Sequence, residues 1–113
     1  MNVLIDTSVW VDHFKYGNAH LIQLLEQDFA LTHPMVILEL ACGTPPAPRS
    51  QTLNAIAQLR HSESATDFEV MAWIEQQQLY GLGCGLVDLS LLAATQLTPQ
   101  PKLWTLDKRL QQS

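Results

Sequence analysis

Short apolar runs alternate with helical stretches along the whole chain, and no other feature narrows the fold as much. "VLI" (3–5) and "FALT" (29–32) have strand character, as does "LWTL" (103–106). The segments between them carry apolar residues at helical spacing. Strands separated by helices pair in parallel, so the pattern predicts an α/β layered domain around a central parallel sheet. At 113 residues the chain has room for one domain, 1–113. Apolar residues make up 47 % and charged ones 15 %, a globular composition.

The helical stretches have legible ends. The first runs from Thr7 through Trp10 and Phe14 to Gly17. Asn18 can cap the next, with Leu21, Leu24 and Leu25 on one face. Pro34 opens "MVILELAC", which Gly43 closes. After the proline-rich "TPPAPRS" (44–50), residues 51–61 form an amphipathic helix. Thr66 and Glu69 make a capping box for the one that follows. "YGLGCG" (80–85) is a turn that lacks the glycines and lysine of a phosphate loop. "LVDLSLLAATQL" (86–97) is a helix, and Asp107 can cap a short last one, Lys108 to Gln112.

Four carboxylates then stand out. Asp6 and Asp107 each end an apolar strand. Glu39 sits in "MVILELAC", apolar at every other position, so its helix is expected to be buried all round. Asp88 shares a helical stripe with Leu91, Leu92 and Thr95. Each has a structural explanation of its own: Asp6 and Asp107 can cap helices, and Asp88 suits a helix N-terminus. Together they are harder to explain, because a buried unpaired carboxylate costs on the order of several kcal/mol. The bases Lys15, Arg49, Arg60, Lys102, Lys108 and Arg109 all fall in loops or at element ends. In an open parallel sheet the carboxyl ends of the strands form the ligand crevice. Oxygen donors without cysteine or histidine favour Mg²⁺ or Mn²⁺ over zinc.

In this order and spacing, "LIDTSVWVD", "VILELACG", "GLVDLSLLAA" and "LWTLDKRL" resemble the PIN-domain ribonucleases, and within them the VapC-type toxins of toxin–antitoxin pairs. The resemblance covers almost the whole chain. It implies a Rossmann-like α/β/α sandwich and a metal-dependent endoribonuclease that uses metal-activated water. Catalytic roles then fall on Asp6, Glu39, Asp88 and Asp107. Asp6 and Asp88 are the first metal ligands, with Glu39 and Asp107 as further ones, and one ion or two are both open. Ser8 and Thr105 match assisting polar positions, and with Lys15, Arg49, Lys102, Lys108 and Arg109 they are candidate RNA contacts. The chain stops where the family usually adds a final edge strand, so the sheet is expected to be one strand short, with an edge that a second copy could cover in a homodimer.

Charge does not oppose this. The formal net charge is −5, and setting aside the four site acids leaves −1. The implied partners are an RNA substrate and a small antitoxin with a basic tail. Trp10, Phe14, Leu21 and Leu25 are candidates for the apolar surface such a protein would cover. No membrane partner is expected, since no apolar run reaches the ~20 residues of a span, and the expected location is cytoplasmic. Cys42 and Cys84 are expected to be reduced and buried, and the four histidines to be surface or loop residues.

Competing readings fit less well. A haloacid-dehalogenase-type phosphatase needs an aspartate where Ser8 stands. A response-regulator receiver needs an acidic pair before its aspartate and a strand-end lysine after it. A catalytically inactive PIN-like protein- or RNA-binding module is the remaining alternative, although such a module would normally have lost some of the four acids.

Overall fold

The computed structural model describes residues 1–83, 85–97 and 102–107. In chain order the elements are β1 (Val3–Ile5), α1 (Thr7–Tyr16), α2 (Ala19–Glu26), β2 (Ala30–Leu31), α3 (Pro34–Cys42), α4 (Arg49–Ala57), α5 (Asp67–Gln77), α6 (Leu86–Gln96) and β3 (Lys102–Trp104). The three strands form one parallel sheet in the order β2-β1-β3. Val3 aligns with Ala30 on one side and with Lys102 on the other. This is the expected α/β layering, compatible with a PIN-like α/β/α sandwich.

A central strand flanked on both edges has no room for polar side chains, and Val3, Leu4 and Ile5 are all buried. Around them pack Val9 and Trp10 of α1, Leu21 and Leu24 of α2, Val36 and Leu40 of α3, and Leu91 and Ala94 of α6. A second cluster joins Trp73 of α5 to Leu89, Leu92 and Ala93 of α6. Leu103 of β3 touches both clusters and makes them continuous.

Local signals set most boundaries. Asn18 Oδ1 accepts the Leu21 N–H at 3.0 Å to start α2, and the Thr66–Glu69 capping box starts α5. Gly81 and Gly83 adopt φ of +73° and +81° in the turn before α6, a region open to glycine at little cost. The helix expected over 51–61 begins earlier and ends at Ala57. The chain then passes Arg60 and Ser62 alongside Thr32, with Thr32 N–H donating to Arg60 O and Ser62 N–H to Thr32 O. The third strand begins at Lys102 and ends at Trp104, short of the expected Leu106, whose N–H turns to Ser8 Oγ instead. The expected last helix and the missing edge strand concern residues 108–113, outside the described ones.

Three expectations about burial need correction. On α3, Val36 and Leu40 are buried while Leu38 is 59 % exposed and Glu39 is exposed, so the helix is not apolar all round in its packing. The helix packs against α4, α6 and α1, and Leu38 and Glu39 lie on its exposed side. Cys42, at the exposed end of α3, is an exposed free thiol, and Cys84 lies outside the described residues. His33 is a buried structural residue: its Nδ1 accepts the Met35 N–H at 3.0 Å and caps α3.

Candidate active site

Parallel pairing brings the carboxyl ends of β1, β2 and β3 to one edge of the sheet. Asp6 follows β1 directly, and Thr105 to Asp107 follow β3. Helix α3 leaves from β2 at the same edge. Helix α6 leads down into β3, so its first turn, with Asp88, lies there too. Topology thus brings the element ends that carry Asp6, Asp88 and Asp107 to one edge of the sheet. Residues 6 and 105 become neighbours because β1 and β3 are paired, with Asp6 N–H donating to Trp104 O at 3.0 Å.

Asp6 is the centre of the arrangement and is only 4 % exposed. Its backbone is extended and its side chain caps α1, with the Ser8 N–H 3.4 Å from Oδ2. Two hydroxyls bind the same oxygen more tightly: Ser8 Oγ donates at 2.6 Å and Thr105 Oγ1 at 2.7 Å. Both hydroxyl oxygens accept backbone N–H groups in turn, Ser8 from Leu106 at 2.9 Å and Thr105 from Asp107 at 3.0 Å. Capping and a site role therefore coexist in one side chain. The Ser8 and Thr105 hydroxyls, expected as substrate contacts, are directed at Asp6.

The other acids differ in setting. Asp88 is half-buried in the first turn of α6, on the stripe with buried Leu91 and Leu92, as its spacing predicts. Asp107 is half-buried. Glu39 is exposed and, with Thr7 of α1, Lys15 and Thr44, lines a cleft of about 140 Å³ between α1 and α3. Among the described residues no three His, Cys, Asp or Glu side chains converge closely enough to hold one ion. The donor chemistry nevertheless suits a hard divalent cation. Asp6 is a buried carboxylate satisfied by neutral hydroxyls, and the described ion pair, Arg60 with Asp28, lies elsewhere.

The cationic candidates divide. Lys15 is exposed beside Glu39, and Lys102 is exposed on β3. Arg49, expected as a phosphate contact, is instead engaged at the end of α3. Its guanidinium donates to Gly43 O at 3.0 Å and to Ala41 O, where a cation complements the helix dipole. Lys108 and Arg109 lie outside the described residues.

The candidate partner surface also changes. Leu21 is fully buried and Leu24 nearly so, which removes both from any docking face. Trp10 is 4 % exposed. It lines, with His13, Phe14, Leu25, Ile56 and Leu59, an apolar groove of about 530 Å³ between α1, α2 and α4. Sequence reasoning, which gave α4 only as an amphipathic helix, missed its contribution to this groove. It also missed His33, although a histidine directly before a helix-opening proline occupies an N-cap position.

The arrangement is that of a small α/β domain with an acidic rim at the carboxyl ends of its strands, and comparison with known proteins gives it a family. Two curated proteins, each named Ribonuclease VapC32, come from Mycobacterium tuberculosis strains CDC 1551 / Oshkosh and ATCC 25618 / H37Rv. Each is 41 % identical to this chain over 108 residues, covering 96 % of this chain and 86 % of the relative. The chain belongs to the VapC-type PIN-domain ribonucleases. No family model matches it.

Proposed function

We propose that this protein is a metal-dependent endoribonuclease and the toxin of a toxin–antitoxin pair. The observation that carries the reading is the buried Asp6 carboxylate at the sheet's carboxyl edge, held by hydroxyls with no base beside it among the described residues, in a chain 41 % identical to a ribonuclease.

Asp6 and Asp88 would hold a Mg²⁺ or Mn²⁺ ion, and Asp107 and Glu39 would complete the site. Such an ion, when bound, neutralises charge on a phosphodiester and lowers the pKa of water. Asp6 binds from a fixed position at the end of β1. Asp88, in the first turn of α6, adds its carboxylate where the helix dipole tempers its charge. Glu39, exposed at the neighbouring cleft, would take or hold a proton. Lys15 beside it offers a contact for an RNA phosphate. With water as nucleophile the 2′-hydroxyl is not needed, and the products are a 5′-phosphate and a 3′-hydroxyl.

Two protein partners belong to the same reading. The apolar groove lined by Trp10, Phe14 and Leu25 suits an amphipathic segment of a small antitoxin, whose basic tail would reach the acidic rim. A homodimer would cover the other apolar face. There Phe68, Met71 and Leu86 are 81 %, 63 % and 65 % exposed beside a pocket of about 540 Å³. No helix among the described residues is long and apolar enough to cross a membrane.

The test is RNA cleavage by purified protein with Mg²⁺ or Mn²⁺, with analysis of product ends. Cleavage that persists in excess EDTA overturns the metal requirement. An adjacent small gene whose product neither co-elutes with this protein nor inhibits it overturns the toxin assignment alone.

A further inference from the structure

We propose that the cleft between α1 and α3 is a subsite for one unpaired nucleobase of the RNA, next to the phosphodiester that is cut. This rests on the ribonuclease reading above and names what flanks its reacting centre.

The cleft begins where the acidic edge ends. Thr7, which follows Asp6 directly, lines it, and Val11, Phe14 and Lys15 continue along the same stripe of α1 at helical spacing. On the α3 side, Glu39 and Leu40 face them, and Gly43 leaves room. A Cβ added at Gly43 meets only Leu40 O, at an ordinary contact distance of 3.6 Å. The volume, about 140 Å³, is the space of about five waters. An amphipathic helix, about 10–12 Å across, does not enter such a space, whereas a single heterocycle does. Phe14 also lines the larger groove offered to the antitoxin, so its ring is the wall shared by the two.

The chemistry suits a base. Val11, Phe14 and Leu40 give an apolar lining with one aromatic ring, and every base has a π-face to pack on such a ring. The charged side chains at the cleft are Glu39 and Lys15, both exposed and opposite in sign. Their charges offset one another, so a neutral occupant is not repelled. Lys15 then serves the phosphate attached to that base. Phosphates look alike at every position of a strand, and contacts to them carry no register. One seated base would set which phosphodiester lies at the acidic edge.

The experiment is steady-state cleavage of a single-stranded RNA oligonucleotide spanning one mapped cut, by the full chain with Mg²⁺ or Mn²⁺. In a matched set, an abasic ribose replaces each nucleotide flanking the cut in turn. Removing the base at one position should raise KM about 10-fold, as loss of a base–aromatic stack does, with kcat little changed. Val11→Phe fills the cleft from an exposed position. It should raise KM for the intact oligonucleotide to the same extent and make base removal at that position neutral within about twofold. Gly43→Leu, which fills the cleft from the end of α3, should do the same, and it decides if Val11→Phe does not fold. A filled variant that folds but no longer cuts is titrated with the same oligonucleotides by fluorescence anisotropy, and the same pattern is required in Kd. Base removal that costs nothing at any position overturns the proposal. So does a penalty that survives in the filled variants, including the case in which they lose antitoxin binding instead; the ribonuclease reading stands in each. A wild type that cuts no RNA fails that reading, and the proposal with it.

Discussion

Replacing His33 by Ala removes two bonds from a side chain that is only 5 % exposed. Its Nδ1 accepts the Met35 N–H at 3.0 Å, and its Nε2 lies 3.1 Å from Ser64 Oγ. Because Nδ1 must be bare to accept, the ring proton sits on Nε2 and donates to Ser64, and the neutral ring serves both partners. Losing an N-cap costs about 1 kcal/mol, and losing a hydrogen bond in a buried setting about 1 kcal/mol more. At roughly 4 °C per kcal/mol for a domain of this size, the melting temperature should fall by about 8 °C.

The pH dependence sharpens the test. Burial, with the charge of His61 added, holds the His33 pKa below its ordinary value of 6.5. The unfolded chain therefore takes up a proton at a pH where the folded one does not. The stability tied to His33 is fully present above pH 6.5 and is lost as pH falls from there through the folded pKa. Protonation also turns Nδ1 into a donor facing the Met35 N–H, and the cap is lost. Melting curves of the wild type and His33→Ala between pH 8 and pH 5 should therefore converge on the acid side. A variant that melts within a degree or two of the wild type at pH 8 would refute the capping role. Parallel pH profiles would refute its link to protonation.

Other outcomes follow from the same contacts. Asp88→Asn should abolish cleavage with little loss of metal-free stability, since clustered carboxylates repel; a melting temperature lowered by many degrees would mark Asp88 as mainly structural. Arg49→Ala should lower stability by about 1 kcal/mol through the end of α3 and leave the salt dependence of RNA binding unchanged, as measured by filter binding at two ionic strengths. Trp10→Ala is a poor probe of the groove, because truncating a buried tryptophan costs about 3–5 kcal/mol. Ala55→Glu, on the exposed side of α4 at the groove, should leave melting unchanged and weaken antitoxin binding at least tenfold by calorimetry.

What is legible in the sequence is the order of elements, and with it the edge of the sheet at which the segments carrying Asp6, Asp88 and Asp107 lie, because parallel topology dictates which ends of strands and helices share an edge. Glu39 was located on the right helix, but its burial was misjudged. Apolar neighbours in a nine-residue helix do not reveal which side of it other elements cover. That Ser8 and Thr105 both bind Asp6 Oδ2 could not be read, since it depends on pairing between residues 6–8 and 105–107, and no local pattern encodes which oxygen a hydroxyl will find. Arg49, expected as a phosphate contact, and His33, expected as a surface or loop residue, are each engaged by local backbone groups at an end of α3.

The central strand is made first and one of its edges last. During translation β1 can pair with β2 early, while its other side waits for residues 102–104. Until they emerge, Asp6 lacks the threonine hydroxyl that holds it, and Asp107 does not yet exist. A chain interrupted before that point would carry Glu39 and Asp88 on helices already able to form, but the oxygen set would be incomplete and Asp6 free to turn. The setting of Asp6 is therefore complete only once β3 has paired with β1, 99 positions further along the chain.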